Sequence, residues 1–427
     1  MAHISMKVTA TVASSTLAAA LLGAAGLLAA AGAAADDTKA ATPKQTNSPK
    51  LAAPLKAAHD DLNAKPPKFS EAIAKLKEAD ATAGKTPYDQ HLINELFAFA
   101  YLKTNDYADA AKAWEAEIDD GFTSGPELQQ KIRGLSEVHY QLKNYDKAID
   151  FGQRALKGGF GDDHTRTIVG QSYYLKGDWK GTLKFEDDVV SSTIKAGGTP
   201  ALEPLQLILS SCTKLDDKEC QTKALERLVT YYPKPEYWSN LLIVLLKEAS
   251  SSDSNTLQVY RLMWDTDVLK TPEDYTEMAQ LAMDAGTPGE AQRVLQRAFE
   301  RNLYTDQRSK DKSQRLLDKA KQGAANDQAS LDKTLKEAEA GTTGGKNAGM
   351  GLAYLSYGQY DKAIDQLGKA VAKGGLRNAA DTQLLLGIAD LKGGHKEDAI
   401  KAFKAVKGDP VLERLGTLWA IHARQAQ

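Results

Sequence analysis

From Leu51 onward the apolar positions form helical segments joined by short polar turns, and sustained alternation of the strand kind is absent. The predicted fold class is all-α. The segments also repeat. Tyr145-Asp146-Lys147-Ala148-Ile149-Asp150 returns as Tyr360-Asp361-Lys362-Ala363-Ile364-Asp365. Each copy is followed by a small residue (Ala155, Ala370) and then by Gly-Gly and an apolar residue (Phe160, Leu376). Related units open at Phe69, Tyr107 and Trp179. Small residues mark the phase at Ala72, Ala110, Ala148, Thr182, Ala291, Ala363 and Ala399; the close neighbours stand roughly 34 to 38 residues apart, and the wide gaps on either side of Ala291 fit two or three units apiece. That period is one helical hairpin, and about ten hairpins fill residues 51–409. A single hairpin cannot bury its own apolar face, so the units must stack. The apolar run from Val411 to Ile421 predicts a last helix covering the final exposed face.

The positions inside each unit carry a family pattern. Gly351, Tyr354, Tyr360, Ala363 and Leu367 form one set. Ala98, Tyr101, Tyr107, Ala110 and Trp114 form a second, and Gly170, Tyr173 and Trp179 a third. This arrangement of a small residue, an aromatic, a second aromatic, Ala and a bulky residue resembles the tetratricopeptide repeat family. The resemblance is strong over residues 92–187 and 346–407 and degenerate from about 200 to 345. It implies a right-handed alpha-alpha superhelix whose concave face is lined by the first helix of each hairpin. The expected division is 51–198 for N-terminal repeats, 199–345 for degenerate repeats, and 346–427 for C-terminal repeats with a capping helix.

The N-terminal stretch differs in kind. Lys7 precedes an apolar run from Leu17 through Ala31, which exits through Gly32-Ala33-Ala34-Ala35 before Asp36-Asp37. This reads as a secretory signal over residues 1–35, cleaved after Ala35, with Met6 as an alternative start. An uncleaved membrane anchor is the rival reading. Residues 36–50 are rich in Thr, Lys, Ala, Pro and Asn without apolar periodicity and are expected to be a flexible linker. No later segment is apolar enough to span a membrane. The expected location is periplasmic or secreted. In such a compartment the two cysteines, Cys212 and Cys220, favour a disulfide across a helix–turn–helix junction, worth about 2–3 kcal/mol. Two separate buried thiols are the alternative.

The formal net charge of −2, with acids and bases interleaved, argues against nucleic-acid binding, which needs a concentrated basic face. Catalytic and metal constellations are not found. The histidines lack ligand spacing. The neighbouring acids Asp162-Asp163 and Asp187-Asp188 diverge on a helix and fit solvated helix ends. Gly344-Gly345-Lys346 lacks the glycine and hydroxyl that a phosphate loop needs at Ala340 and Asn347. The Gly-Gly pairs at 158–159 and 374–375 recur in phase and read as repeat connections. No cofactor is expected.

The resemblance also places candidate ligand contacts on the first helices. They are Glu95 and Phe99, Arg133, Glu137 and Tyr140, and Gln171 and Tyr174. The Lys/Asn pair with which such repeats clamp a terminal carboxylate is missing. These residues either contact a partner or fill the groove wall; both readings stand. The expectation is a non-enzymatic, exported adaptor or scaffold for other proteins, with self-association a further partner class. The alternative is a glycan-binding protein or enzyme with its site in the degenerate middle, motivated by Tyr231, Tyr232, Tyr237 and Trp238.

Overall fold

The computed structural model describes residues 45–425. The expected signal segment and cleavage point, Met6 and residues 36–44 of the expected linker lie outside the described residues. Twenty α-helices and no strand occur among those described, so the fold is all-α as predicted. The chain divides into two compact units, one of residues up to 198 with 210–216, the other of 199–209 with 217 onward.

The first unit begins with α1 (Pro49–Leu62) and α2 (Phe69–Asp80), then α3 (Pro87–Lys103) and α4 (Tyr107–Asp119). These are followed by α5 (Gly125–Gln141) with α6 (Tyr145–Lys157), and α7 (Asp163–Lys176) with α8 (Trp179–Lys195). Each pair packs as a hairpin and each hairpin packs on the next. The phase-marking residues are the reason. Ala72, Ala110 and Ala148 are fully buried, as is Ala98 at the small position of a first helix, and there the helix backbones come close.

The expected linker needs a correction at its end. Helix α1 starts at Pro49, and the residues before it are tied down. Thr86 and Asp89 form a capping box at the start of α3, with Pro87 at the first helical position. The fully buried Asp89 carboxylate also accepts from the Ser48 backbone N–H at 3.1 Å. Thr86 Oγ1 donates to the Thr46 carbonyl at 2.7 Å. An acid buried by the helix cap recruits the incoming strand of chain, because each carboxylate lone pair left empty there would cost energy.

Helix α9 (Leu202–Lys214) straddles the division between the units. The second unit continues with α10 (Lys218–Tyr231), the hairpin of α11 (Pro235–Ala249) and α12 (Asp253–Asp265), and the hairpin of α13 (Pro272–Asp284) and α14 (Pro288–Glu300). The segment whose repeat frame is unreadable in sequence therefore keeps ordinary hairpins. It then departs from the pattern in α15 (Gln307–Ala340), 34 residues without a break. Two more hairpins follow, α16 (Gly345–Ser356) with α17 (Tyr360–Lys373) and α18 (Ala379–Lys392) with α19 (Lys396–Lys404).

The chain ends in α20 (Pro410–Gln425), which packs on α18 and α19 as a terminal cap should. It does more than that. The same helix also packs on α10, α11 and α12, so the second unit closes on itself. Arg414 bonds Glu226 Oε1 at 2.8 Å and Glu248 Oε2 at 3.1 Å. His422 Nε2 lies 2.8 Å from Asp265 Oδ2. Gln425 Nε2 donates to the carbonyls of Val229 and Thr230 at 2.6 and 3.1 Å, satisfying acceptors that the end of α10 leaves open.

The glycine-rich stretch at 344–346, set aside as a phosphate loop, meets the repeat connection at 374–375 inside this unit. The Gly344 N–H donates to the Gly374 carbonyl at 2.8 Å, and Lys346 Nζ lies 3.1 Å from Glu337 Oε2. A Cβ at Gly344 would stand 2.2 Å from the Ala370 carbonyl oxygen. Backbone contact explains these glycines. Gly351 serves the same end within the α16–α17 hairpin. A Cβ there would stand 2.4 Å from Leu367 Cγ and 3.1 Å from the Leu367 nitrogen. Gly351→Ala is expected to cost about 1–3 kcal/mol through overpacking. Denaturant titration reads this directly, and an unchanged midpoint would refute the tight approach.

Candidate functional site

The seven candidate contacts lie on α3, α5 and α7, the first helices of three successive hairpins. Their accessibility separates them. Glu137, Tyr140 and Gln171 are buried. Glu95, Phe99, Arg133 and Tyr174 are partly exposed.

The buried three join one repeat to the next. The Tyr140 hydroxyl donates to Gln171 Oε1 at 2.5 Å, linking α5 to α7. The Tyr140 ring meets Tyr145 edge-on at 6.2 Å. Glu137 Oε2 stands 3.7 Å from His164 Nε2, while Glu137 Oε1 is buried without a hydrogen bond. Burial pushes the Glu137 carboxyl above the usual carboxylate range, with the nearby His164 opposing. For these residues the groove-wall reading is the one the geometry supports.

The other four are arranged differently. Arg133 Nη1 reaches Asp162 Oδ2 at 3.1 Å. The other Asp162 oxygen caps α7 by accepting from the Thr165 N–H at 2.8 Å, so the paired acids at 162–163 do mark a helix start. The Tyr174 hydroxyl pairs with Ser210 Oγ at 2.7 Å, and its ring packs edge-on against Trp179 at 5.0 Å. Phe99 packs beside Leu62 and Ala100, and Lys103 Nζ sits 5.6 Å from its ring centroid. Glu95, one turn before Phe99, has no hydrogen bond or ion pair among the described residues.

The charge of Glu95 is felt by its neighbours. Burial raises the Glu127 carboxyl, and Glu95 adds to that. Burial lowers the Lys131 ammonium to about 8, with Glu95 opposing. Lys131 is buried between Glu117, with which it makes a short contact, and Glu127 Oε1 at 2.7 Å. Sequence reasoning missed this buried cluster. A lysine on a helix reads the same in sequence whether water or two carboxylates surround it.

The motivation for a site in the middle segment changes with the structure. Tyr237 and Trp238 are each 2% exposed, and the Tyr232 hydroxyl donates to the Pro200 carbonyl at 2.8 Å. Tyr237 and Trp238 are packing residues because α11 turns that face onto its neighbours. Cys212 and Cys220 are disulfide-bonded, and neither is a free thiol. Among the described residues no group of three or more His, Cys, Asp or Glu side chains is placed to hold a metal ion. None of the described helices is long and apolar enough to cross a membrane. The four partly exposed residues are a carboxylate, a phenyl ring, a guanidinium and a phenol.

Residues 96–163 and 349–411 match the family model for the tetratricopeptide repeat. No curated protein matches the sequence. Among solved structures, a tetratricopeptide repeat protein from Parabacteroides merdae is 12% identical. The match covers 77% of this chain and 98% of that one, with a TM-score of 0.28. The tetratricopeptide repeat domain of P58(IPK) is 10% identical over 88% of this chain and 98% of that one, at a TM-score of 0.24. Naa15/Naa10 bound to HypK-THB is 16% identical over 87% of this chain and 70% of that one, at 0.25. The family match carries the assignment of repeats to the two stretches; the structures add nothing to it.

Proposed function

We propose that the tetratricopeptide repeats of this chain make it a non-catalytic scaffold, exported to the periplasm or beyond, that holds another protein through its N-terminal first helices. One observation carries the reading: among the described residues Glu95 is a half-buried carboxylate with no hydrogen bond or close ion pair, one helical turn from the half-exposed ring of Phe99. A charge held partly out of water beside an apolar surface costs free energy that a partner's group can return. Arg133, partly open on α5 and paired with Asp162, places a cation on the next first helix. The run of residues 1–35 supports export, through its basic start, apolar middle and small-residue exit.

The test is a photocrosslinking amino acid at position 99, compared with one at Lys112 on α4, whose side chain is 77% exposed. In the exporting cell, a discrete protein adduct is expected from position 99 at several times the yield from position 112. Equal yields from both, or none from 99, would refute the groove. Intact mass of the recovered protein reads the export half: loss of residues 1–35 is expected, and a full-length mass contradicts cleavage.

A further inference from the structure

The second unit carries a cleft of about 440 Å³ where the end of α19 and the length of α20 meet Thr230 of α10. Phe403, Val406, Ala420 and Ile421 lie beneath it and are buried. Four cations line it, Lys404, Lys407, Arg414 and Arg424, against one carboxylate, Glu413. This local excess stands out in a chain whose formal net charge is −2.

The four are not equivalent. Arg414 is neutralised by Glu226 and Glu248. Lys407 pairs with Glu413 at 3.1 Å. Lys404 and Arg424 have no hydrogen-bond or ionic partner for their side chains among the described residues, and both are exposed. They belong to different helices and line one cleft of a size that holds two or three amino-acid residues. Two unneutralised cations over a closed floor favour a ligand that brings carboxylates to both.

We infer that this cleft is a second binding site, distinct from the first-helix groove, that takes an acidic segment of a partner protein, with Lys404 and Arg424 each engaging a carboxylate. The occupant follows from charge complementarity. Because the floor residues are already buried, little affinity is left for an apolar anchor.

The test uses the full chain and a fluorescein-labelled decapeptide of alternating Glu and Gly, read by anisotropy at low salt. Saturable binding is expected, weakening as salt rises, and at least ten-fold weaker for the Lys404→Ala/Arg424→Ala double variant. A control variant, Lys310→Ala/Lys321→Ala, removes the same charge from exposed positions of α15 and is expected to bind within two-fold of the parent. Equal losses in both double variants would reduce the effect to net charge and overturn the site. So would equal binding of a peptide with Gln in place of Glu, or the absence of saturable binding. If sedimentation shows self-association that disappears in the Lys404/Arg424 variant, the cleft belongs to a second copy and the acidic-segment assignment falls. None of these substitutions touches Glu95 or Phe99, so the outcome is independent of the crosslinking result.

Discussion

Arg261→Ala is expected to remove about 3–5 kcal/mol of stability at neutral pH, because it leaves buried carboxylates without their cation. Arg261 lies on α12, where every residue from Asn255 to Met263 is buried. Its Nε donates to Glu290 Oε1 at 2.9 Å and its Nη2 to Glu290 Oε2 at 2.6 Å. Thr287 Oγ1 completes the shell at 3.2 Å from Glu290 Oε2. Nearby Asp381 is raised by burial, with Arg261 opposing, and accepts from Gln258 Nε2 at 2.6 Å.

The pH dependence of the loss has a definite sign. In the parent, burial acts to raise the Glu290 carboxyl, but Arg261 overrides it and the net shift is downward. That contribution is present above the ordinary carboxylate range and lost as pH falls through the lowered value. Without Arg261 the shift reverses, and the penalty is full above the raised value and fades as acid protonates Glu290. The gap between parent and variant in chemical denaturation should therefore narrow from pH 8 toward pH 4. A gap that is constant with pH would show that lost packing, and not the stranded charge, sets the cost. Replacing both partners with apolar residues, Arg261→Met with Glu290→Leu, should recover more than half of the loss.

Trp419→Ala is expected to cost about 3–5 kcal/mol, the range for emptying a buried indole site. Trp419 is 1% exposed, stacks on Phe403 of α19 at 5.7 Å and meets His422 edge-on at 5.9 Å. His422 in turn contacts Trp238 of α11 edge-on at 6.0 Å and bonds Asp265 of α12. The cavity would therefore loosen α20 from its own neighbours and from α10–α12 together. Thermal unfolding followed by near-ultraviolet dichroism reads the effect. Trp419→Phe supplies the control. The indole Nε1 is buried without a hydrogen-bond acceptor, so its removal relieves an unsatisfied donor and offsets part of the lost contact. A Phe variant as unstable as the Ala variant would contradict this account.

The hairpin pattern was legible because it rests on contacts between residues three, four and about thirty-six apart. Small residues such as Ala110, Ala148, Gly351 and Ala363 recur where two backbones must approach. The all-α class, the length of each hairpin and the two stretches of clear family pattern all follow from such short-range rules.

Tertiary structure alone decided which polar residues are buried and where the chain closes. On α12, Asn255, Gln258, Arg261 and Asp265 form a polar stripe at helical spacing. In the fold it meets Asp409, Asp381, Glu290 and Lys392. The partners of Asn255 and Gln258 lie 154 and 123 residues away in sequence, too far to leave a periodic trace. The same limit hid Lys131 among its carboxylates and the bond that Tyr140 and Gln171 make between repeats. Periodicity records which face of a helix is apolar. Whether its polar face meets water or another helix is set by how distant segments pack.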